Sequence, residues 1–369
     1  MLLSVTDLGC FLHVDPDPPP GDLRVVVKDI IDVAGMPTTA GSRNWSRLAT
    51  GDAACVRSVR AAGASIIGKG HTNEWAFGVD GRNPWWPECR NPHDPERLPG
   101  GSSSGPTVAV AAGLADAGIG TDTSGSLRVP AALCGVVALR PTPGRIPLDG
   151  VQALAPSTDV VGPIARTPQV AARLFAAMAG PAPAVVTAPA RPRLALLDTL
   201  IDRATPDIAA RVRALGGEPI GMDLVGPSAL ETHRVVQHYE AARVYAARGL
   251  PLDDLAPDVA ARIAGGLDIT DAQYVAGLRE RAAIAAAILA ALERYDVLVA
   301  PTTLDVAPRR DDTSDIRTKL LTCVVPLTQA PVPIVAIPLP GPGLPVGAQL
   351  VGRPGTDEAL LDLAGRLLG

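Results

Sequence analysis

Aromatic side chains are scarce in this sequence, at 3% of 369 residues. A core built with so few of them rests on alanine, valine and leucine, whose small side chains allow the close backbone packing of layered α/β folds. Cysteine pairs at metal or disulfide spacing are also missing. Cys10, Cys55, Cys89, Cys134 and Cys323 are scattered with no C-x-x-C, which argues against a disulfide framework or a zinc site and for buried free thiols. None of the five histidines, His13, His71, His93, His233 and His238, lies in a metal-ligand spacing. They read as surface or packing residues, and a zinc hydrolase is disfavoured. No G-x-S-x-G elbow or G-x-x-x-x-G-K-[ST] phosphate loop occurs, so neither an α/β-hydrolase nor a P-loop enzyme is indicated. Lysine and arginine are dispersed in a chain of net charge −5, so no nucleic-acid or anionic-membrane partner is expected. The longest apolar helical run, 282–292, has 11 residues, against the ~20 needed to cross a bilayer. It reads as a buried helix. The first residues, Met-Leu-Leu-Ser, lack the basic start and long apolar stretch of a signal peptide, which gives a cytoplasmic location by default.

What is present is an ordinary globular composition, 47% hydrophobic and 19% charged, with 37 glycines and 37 prolines that follow no period. Such punctuation predicts many turns between many short elements. The β-branched run 24–28 reads as a buried strand with Lys28 at its end. A helix over 52–62 stops at Gly63 and leads into a strand at 65–68. A helix opened by Pro106 runs to Leu114, and a strand follows at 117–120, then a glycine-and-serine turn and a short helix. Residues 180–192 form a Pro/Ala-rich connector, a break between halves of one core. After it come a strand at 193–197 and a helix at 206–215. The stretch 229–292 is helical in period. Strand character returns at 295–300, 334–337 and 347–351, and a helix closes the chain at 357–368. This alternation predicts a single α/β domain with a mixed sheet sandwiched by helices. It divides into a core at 21–180, a helical middle region at 181–295, and a part at 296–369 that returns to the core sheet.

The exceptional stretch is 99–141. It holds Gly100-Gly101-Ser102-Ser103-Ser104-Gly105 and then Gly120-Thr121-Asp122-Thr123-Ser124-Gly125-Ser126-Leu127-Arg128, two serine-and-glycine turns that flank one helix. Glycine allows close backbone approach to a substrate, and successive N–H groups in such a turn can cradle an anion. If Ser126 attacks a carbonyl, the oxygen that becomes negative needs donors in place, and the N–H groups of Thr123, Ser124, Gly125 and Ser126 are the candidates for that oxyanion hole. Either turn alone is also compatible with a linker.

Together the two turns resemble the amidase-signature family. So do the separation of 24 positions between Ser102 and Ser126, and Pro130-Ala131-Ala132-Leu133-Cys134-Gly135 after them. Further matches are Val27-Lys28-Asp29-Ile30-Ile31-Asp32-Val33-Ala34-Gly35, Gly68-Lys69-Gly70-His71-Thr72-Asn73-Glu74, and Leu344-Pro345-Val346-Gly347-Ala348-Gln349-Leu350. The resemblance implies that Ser126 is the acyl-forming nucleophile, that Ser102, held through a non-proline cis peptide, is the bridging serine, and that Lys28 is the general base of a Ser-Ser-Lys triad. The chemistry agrees. A serine hydroxyl needs a base, and a lysine serves only if burial or nearby positive charge keeps it neutral. Taken without the resemblance, Lys28 also reads as a solvated strand-end lysine paired with Asp29 or Asp32. Asp122 and Arg128 read as braces for the nucleophile turn.

The implied function is hydrolysis of a small carboxamide C–N bond through an acyl-enzyme, with no metal or organic cofactor. An ammonia-releasing glutamine-amidotransferase subunit is the second reading, and a non-catalytic scaffold the third. A small-molecule amide is the expected partner, and a homodimer is left open. Substrate contacts are sought at Trp75, Phe77 and Gly78, because the aromatics of 75–86 cluster, although packing of a long connection explains them equally well. Ser124 stands where the family usually has glycine, which costs strain if the position needs φ > 0. The N-terminal lead-in and the middle region are short, a form that resembles compact bacterial amidases and plant indole-acetamide hydrolases within the family.

Overall fold

The computed structural model describes residues 8–180, 186–222 and 227–369. Its strands are β1 (Phe11–Val14), β2 (Arg24–Lys28), β3 (Pro37–Thr38), β4 (Arg47–Leu48), β5 (Ser65–Gly70), β6 (Ala117–Asp122), β7 (Val137–Arg140), β8 (Val160–Ala165), β9 (Leu194–Leu197), β10 (Glu218–Ile220), β11 (Val297–Pro301), β12 (Ile334–Pro338) and β13 (Gly347–Val351). The helices in chain order are α1 (Ala54–Ala61), α2 (Ser104–Ala111), α3 (Arg128–Cys134), α4 (Pro168–Ala179), α5 (Asp198–Ile201), α6 (Pro206–Arg213), α7 (Pro227–Ala246), α8 (Pro257–Leu267), α9 (Asp271–Arg294), α10 (Ile316–Leu321), α11 (Val325–Thr328) and α12 (Asp357–Leu368). Eleven strands form one mixed sheet in the order β1-β5-β2-β6-β8-β7-β12-β13-β11-β9-β10, and β3 and β4 pair separately.

The predicted strand at 24–28 lies inside this sheet, parallel to both β5 and β6. Val25, Val26 and Val27 are fully buried, as expected of a parallel strand covered on both faces. Gly118 and Gly120 let α2 and the turn before it lie directly on β6. A Cβ at Gly118 would meet Pro106 at 2.9 Å, and one at Gly120 would meet Ser103 Oγ at 2.7 Å. Gly105 is tighter still, because a Cβ there would sit 2.0 Å from the His71 backbone nitrogen and 2.3 Å from the Cys10 carbonyl oxygen. Gly105→Ala is therefore expected to cost about 3 kcal/mol or more through overpacking. Thermal unfolding checks this, and a Tm at the parent value would contradict the close packing. These contacts bring the ends of β2 and β6 and the start of α2 together, where the two serine turns meet.

Several expectations need correction. Helix α2 begins at Ser104 with Pro106 third, because any first-turn N–H lacks an intrahelical acceptor and proline is tolerated there. Strand β6 runs on through Thr121 and Asp122, since these pair with Val161 and Val160 on β8 despite their turn-like composition. Strands β7 and β8 were not foreseen. Helix α9 is not a buried helix: of its residues only Gly277, Ile288 and Leu292 are buried, and Ala286 and Ala287 face solvent. Alanine favours helix without requiring burial, so an alanine run does not reveal which face packs. In the middle region the strand expected at 193–197 is present as β9 and pairs with β11, while β10, which was not foreseen, extends the sheet beyond it. The connector at 180–192 lies partly outside the described residues. All five cysteines are buried and unbridged.

Candidate active site

Lys28 is fully buried at the end of β2. Its Nζ lies 2.7 Å from Ser102 Oγ and 2.7 Å from Thr121 Oγ1. Burial pushes its pKa down to about 7, against the opposing pull of the Asp122 and Asp159 carboxylates. The neutral amine can thus accept the Ser102 proton while donating to Thr121. The pairing with Asp29 or Asp32 does not occur. Asp29 is paired with buried Lys69 at 3.1 Å, and Asp32 with Arg47.

The three successive serines have different partners, which separates their roles. Ser102, after a cis Gly101–Ser102 peptide, faces Lys28. Ser103 Oγ donates to the Thr121 carbonyl at 3.1 Å and accepts from the Thr121 N–H at 3.2 Å, which fastens the turn to β6. Ser104 Oγ lies 2.9 Å from His71 Nδ1, and burial holds that imidazole neutral with its pKa near 4. The segment before His71 and after it closes over the turn. A Cβ at Gly101 would collide with Asn73 Oδ1 at 2.2 Å. That contact explains why Gly68–Glu74 and the serine turn appear as paired motifs.

The second serine-and-glycine turn is built on Asp122. Burial alone would raise its pKa, but Arg128 and Arg140, with hydrogen bonds from Arg128 and the Gly125 N–H, hold it well below the usual carboxylate range. Arg128 Nε is 3.0 Å from Asp122 Oδ2, and Arg140 Nη1 is 3.3 Å from Oδ1. Gln349, from the last of the motifs, accepts from Arg128 Nη1 at 2.7 Å and donates to the carbonyls of Pro301 and Cys323. The bracing expected of Asp122 and Arg128 is present, with Arg140 and Gln349 added. Ser126 carries the turn to the Ser102 side, its carbonyl accepting from the Ser103 N–H at 3.2 Å.

The expected oxyanion donors divide. The Gly125 N–H donates to Asp122 Oδ1 at 2.7 Å, so it is committed to the brace and leaves the expected donor set. Among the described residues, the N–H groups of Thr123, Ser124 and Ser126 have no protein acceptor. Thr123 is fixed through its side chain, Oγ1 donating to Asp159 Oδ1 at 2.6 Å. Burial raises the Asp159 pKa to about 6. The strain anticipated at Ser124 does not arise, because the non-glycine residues with positive φ among those described are Ala40, Trp75 and Ala76.

Trp75 and Phe77 are buried in the main hydrophobic core. Trp75 packs 4.9 Å from Trp45 and 5.9 Å from Tyr245, ring centre to ring centre. Phe77 meets His238 edge-on at 5.1 Å. Gly78 lies against the Asn73 side chain. His238 in turn lines a cleft of about 500 Å³ between α7 and α10, together with His233, Gln237, Arg317, Leu321 and Val325. Sequence reasoning missed Thr121, Asp159, His233 and Gln237. The last two sit more than a hundred positions from Ser124, which their side chains touch.

A fully buried lysine whose pKa is pushed down lies beside a serine, on a mixed α/β sheet and next to a second serine-and-glycine turn. The chain belongs to the amidase family, matching it over residues 22–203 and 248–361. It is 34% identical to a glutamyl-tRNA(Gln) amidotransferase subunit of Symbiobacterium thermophilum over 94% of this chain and 82% of that protein. It is 31% identical to a fatty acid amide hydrolase of Medicago truncatula, covering 92% of this chain and 63% of the relative. A crystal structure of an amidase superposes with a TM-score of 0.90 at 30% identity, covering 98% of this chain and 92% of that one. The protein is an amidase-signature hydrolase acting on C–N bonds. Among the described residues no helix is long and apolar enough to cross a membrane.

Proposed function

We propose that the protein hydrolyses a small linear carboxamide to a carboxylic acid and ammonia or an amine, through a seryl acyl-enzyme on Ser126. The observation that carries this is the 2.7 Å contact between Ser102 Oγ and a buried Lys28 Nζ whose pKa is brought down to about 7. Neutral Lys28 takes the Ser102 proton as Ser102 takes that of Ser126, and Ser126 Oγ adds to the carbonyl carbon. The N–H groups of Thr123, Ser124 and Ser126 receive the developing oxyanion. Collapse breaks the C–N bond, and the proton returns by way of Ser102 to the leaving nitrogen. Water then repeats the sequence on the ester and releases the acid. The cleft between α7 and α10 is the proposed approach, because His233 and Gln237 in its lining reach Ser124.

An activated serine beside oxyanion donors should react with a fluorophosphonate, so the expected adduct maps to Ser126. Label on Ser102, Ser103 or Ser104 with Ser126 untouched would overturn the assignment. A second reading, an ammonia-releasing amidotransferase component, is favoured by the 34% identity to a protein of that kind. Glutaminase activity that rises on adding a partner protein would select it. Retention of Lys28, Ser102 and Ser126 together speaks against a non-catalytic scaffold.

A further inference from the structure

Ser124, the side chain between Thr123 and Gly125, is held by two residues from a distant helix. Its Oγ lies 2.7 Å from His233 Nε2 and accepts from Gln237 Nε2 at 2.7 Å. His233 and Gln237 are four apart on α7 and so share one face of it. All three residues are buried.

The protonation pattern follows from a fourth residue. Gln329 Nε2 donates to the Val325 carbonyl at 2.8 Å, and a carbonyl can only accept, so the orientation of this amide is fixed. The same nitrogen lies 3.2 Å from His233 Nδ1, which must therefore be the acceptor of its other hydrogen. His233 consequently carries its proton on Nε2 and donates it to Ser124 Oγ. Burial, with Arg281, Arg317, Arg140 and His238 around it, keeps the imidazole neutral, its pKa near 3. A ring with its hydrogen aimed at the serine and no basic nitrogen facing the turn cannot serve as the base. What it can do is fix a position: with the Gln237 amide it fills both lone pairs of the Ser124 oxygen.

That position matters because the turn has three anchors. Thr123 is tied to Asp159, and the Gly125 N–H to Asp122. Ser124, lying between them, is tied among the described residues only through its hydroxyl. Its own N–H and those of Thr123 and Ser126 are the ones without protein acceptors among the described residues, and donors aimed in advance are worth more in a transition state than donors that must be ordered as it forms. We propose that His233 and Gln237 are positioning residues for the oxyanion turn, acting through the Ser124 hydroxyl. The proposal rests on the hydrolase reading of Ser126.

Kinetics of Ser124→Ala, Ser124→Gly, His233→Ala, Gln237→Leu and the double variant Ser124→Ala with His233→Ala test this, using one amide and a boronic acid that mimics the tetrahedral intermediate. Each single variant is expected to lose about 10- to 100-fold in kcat with KM within about twofold. Boronate affinity should fall by the same factor as kcat/KM. The double variant should lose no more than the worse single one, since both changes cut the same link. Multiplicative losses, or a raised KM with kcat unchanged, would overturn the proposal, the latter making these residues cleft contacts for the substrate. Ser124→Gly restores the residue usual in the family and guards against a folding artefact. In that background, replacing His233 should change kcat little, and a further 10-fold loss there would also count against the link. The rate of fluorophosphonate labelling at Ser126 gives a parallel measure. A wild-type protein that never labels at Ser126 sinks the hydrolase reading and this inference with it, whereas labelling at equal rates in all variants sinks this inference alone.

Discussion

Lys28→Ala is expected to turn over its amide about 10³- to 10⁴-fold more slowly than the parent while keeping its fold. The residue makes no ion pair among the described residues, so on the proposed relay its replacement removes a base and not a structural charge. Its Nζ contacts are the hydroxyls of Ser102 and Thr121. Lys28→Arg should do no better, because a guanidinium keeps its proton at any working pH and its planar head does not fit a pocket shaped for an amine. The pH profile carries the sign. In the proposed relay the neutral amine is the active form, and burial brings its pKa down to about 7, so parental turnover should fall as the pH drops through that value and level off above it. His93→Asn should leave turnover within a few fold, since among the described residues the hydrogen-bond partner of His93 Nε2 is the Cys134 carbonyl, at 3.0 Å. Turnover of one reactive amide from pH 5 to 10, with circular dichroism on each variant, decides the matter. Parental turnover in Lys28→Arg would refute the proton relay.

How much of this was legible in the sequence depended on whether a signal was local. Strand β2 could be read because three valines in succession need burial on both faces, and the lysine at its end inherited that burial. Either serine turn alone was compatible with a linker, and it was the pair at its 24-position separation, with the flanking motifs, that resembled a known family. That resemblance singled out Ser126, Ser102 and Lys28 as candidates, and Asp122 and Arg128 were read beside them as braces. Strands β7 and β8 escaped because Gly162 and Pro163 interrupt the second, and Arg140 ends the first with a charge that only Asp122 explains. The solvent-facing alanines of α9 misled for the opposite reason, an apolar side chain that packs against nothing. His233 and Gln237 could not be found at all. A histidine on a long helix has no sequence mark to show that it meets Ser124, and the packing of α7 over the second serine-and-glycine turn is what joins them. The Gly125 donor was misjudged because the sequence does not reveal which side of a turn an N–H faces.

Asp122→Ala is expected to destabilise the protein by about 3–5 kcal/mol. Asp122, Arg128 and Arg140 are all essentially inaccessible to solvent, at 0%, 0% and 1% exposure. Removing the carboxylate strands two guanidiniums where water cannot reach them, and the loss of a buried partner costs far more than the pair itself contributes. The Gly125 and Leu127 N–H groups lose their acceptor as well. Arg140 would retain the carbonyls of residue 122 and Thr158, and Arg128 the side chains of Thr328 and Gln349, which limits the loss without cancelling it. The pH dependence has a definite sign. Asp122 is held below the ordinary carboxylate range in the folded protein, so its contribution is complete above about pH 4, where an unfolded aspartate is ionised, and disappears only in stronger acid. The difference between the parent and Asp122→Ala should therefore stay constant between pH 6 and 8 and narrow as the medium becomes strongly acidic. Urea unfolding at several pH values measures it, with an unchanged m-value confirming that the folded states are comparable. A difference below 1 kcal/mol at neutral pH would show that the two arginines find other partners. The nucleophile turn would then owe its shape to Thr123 and Ser124 instead of the buried charge beneath it.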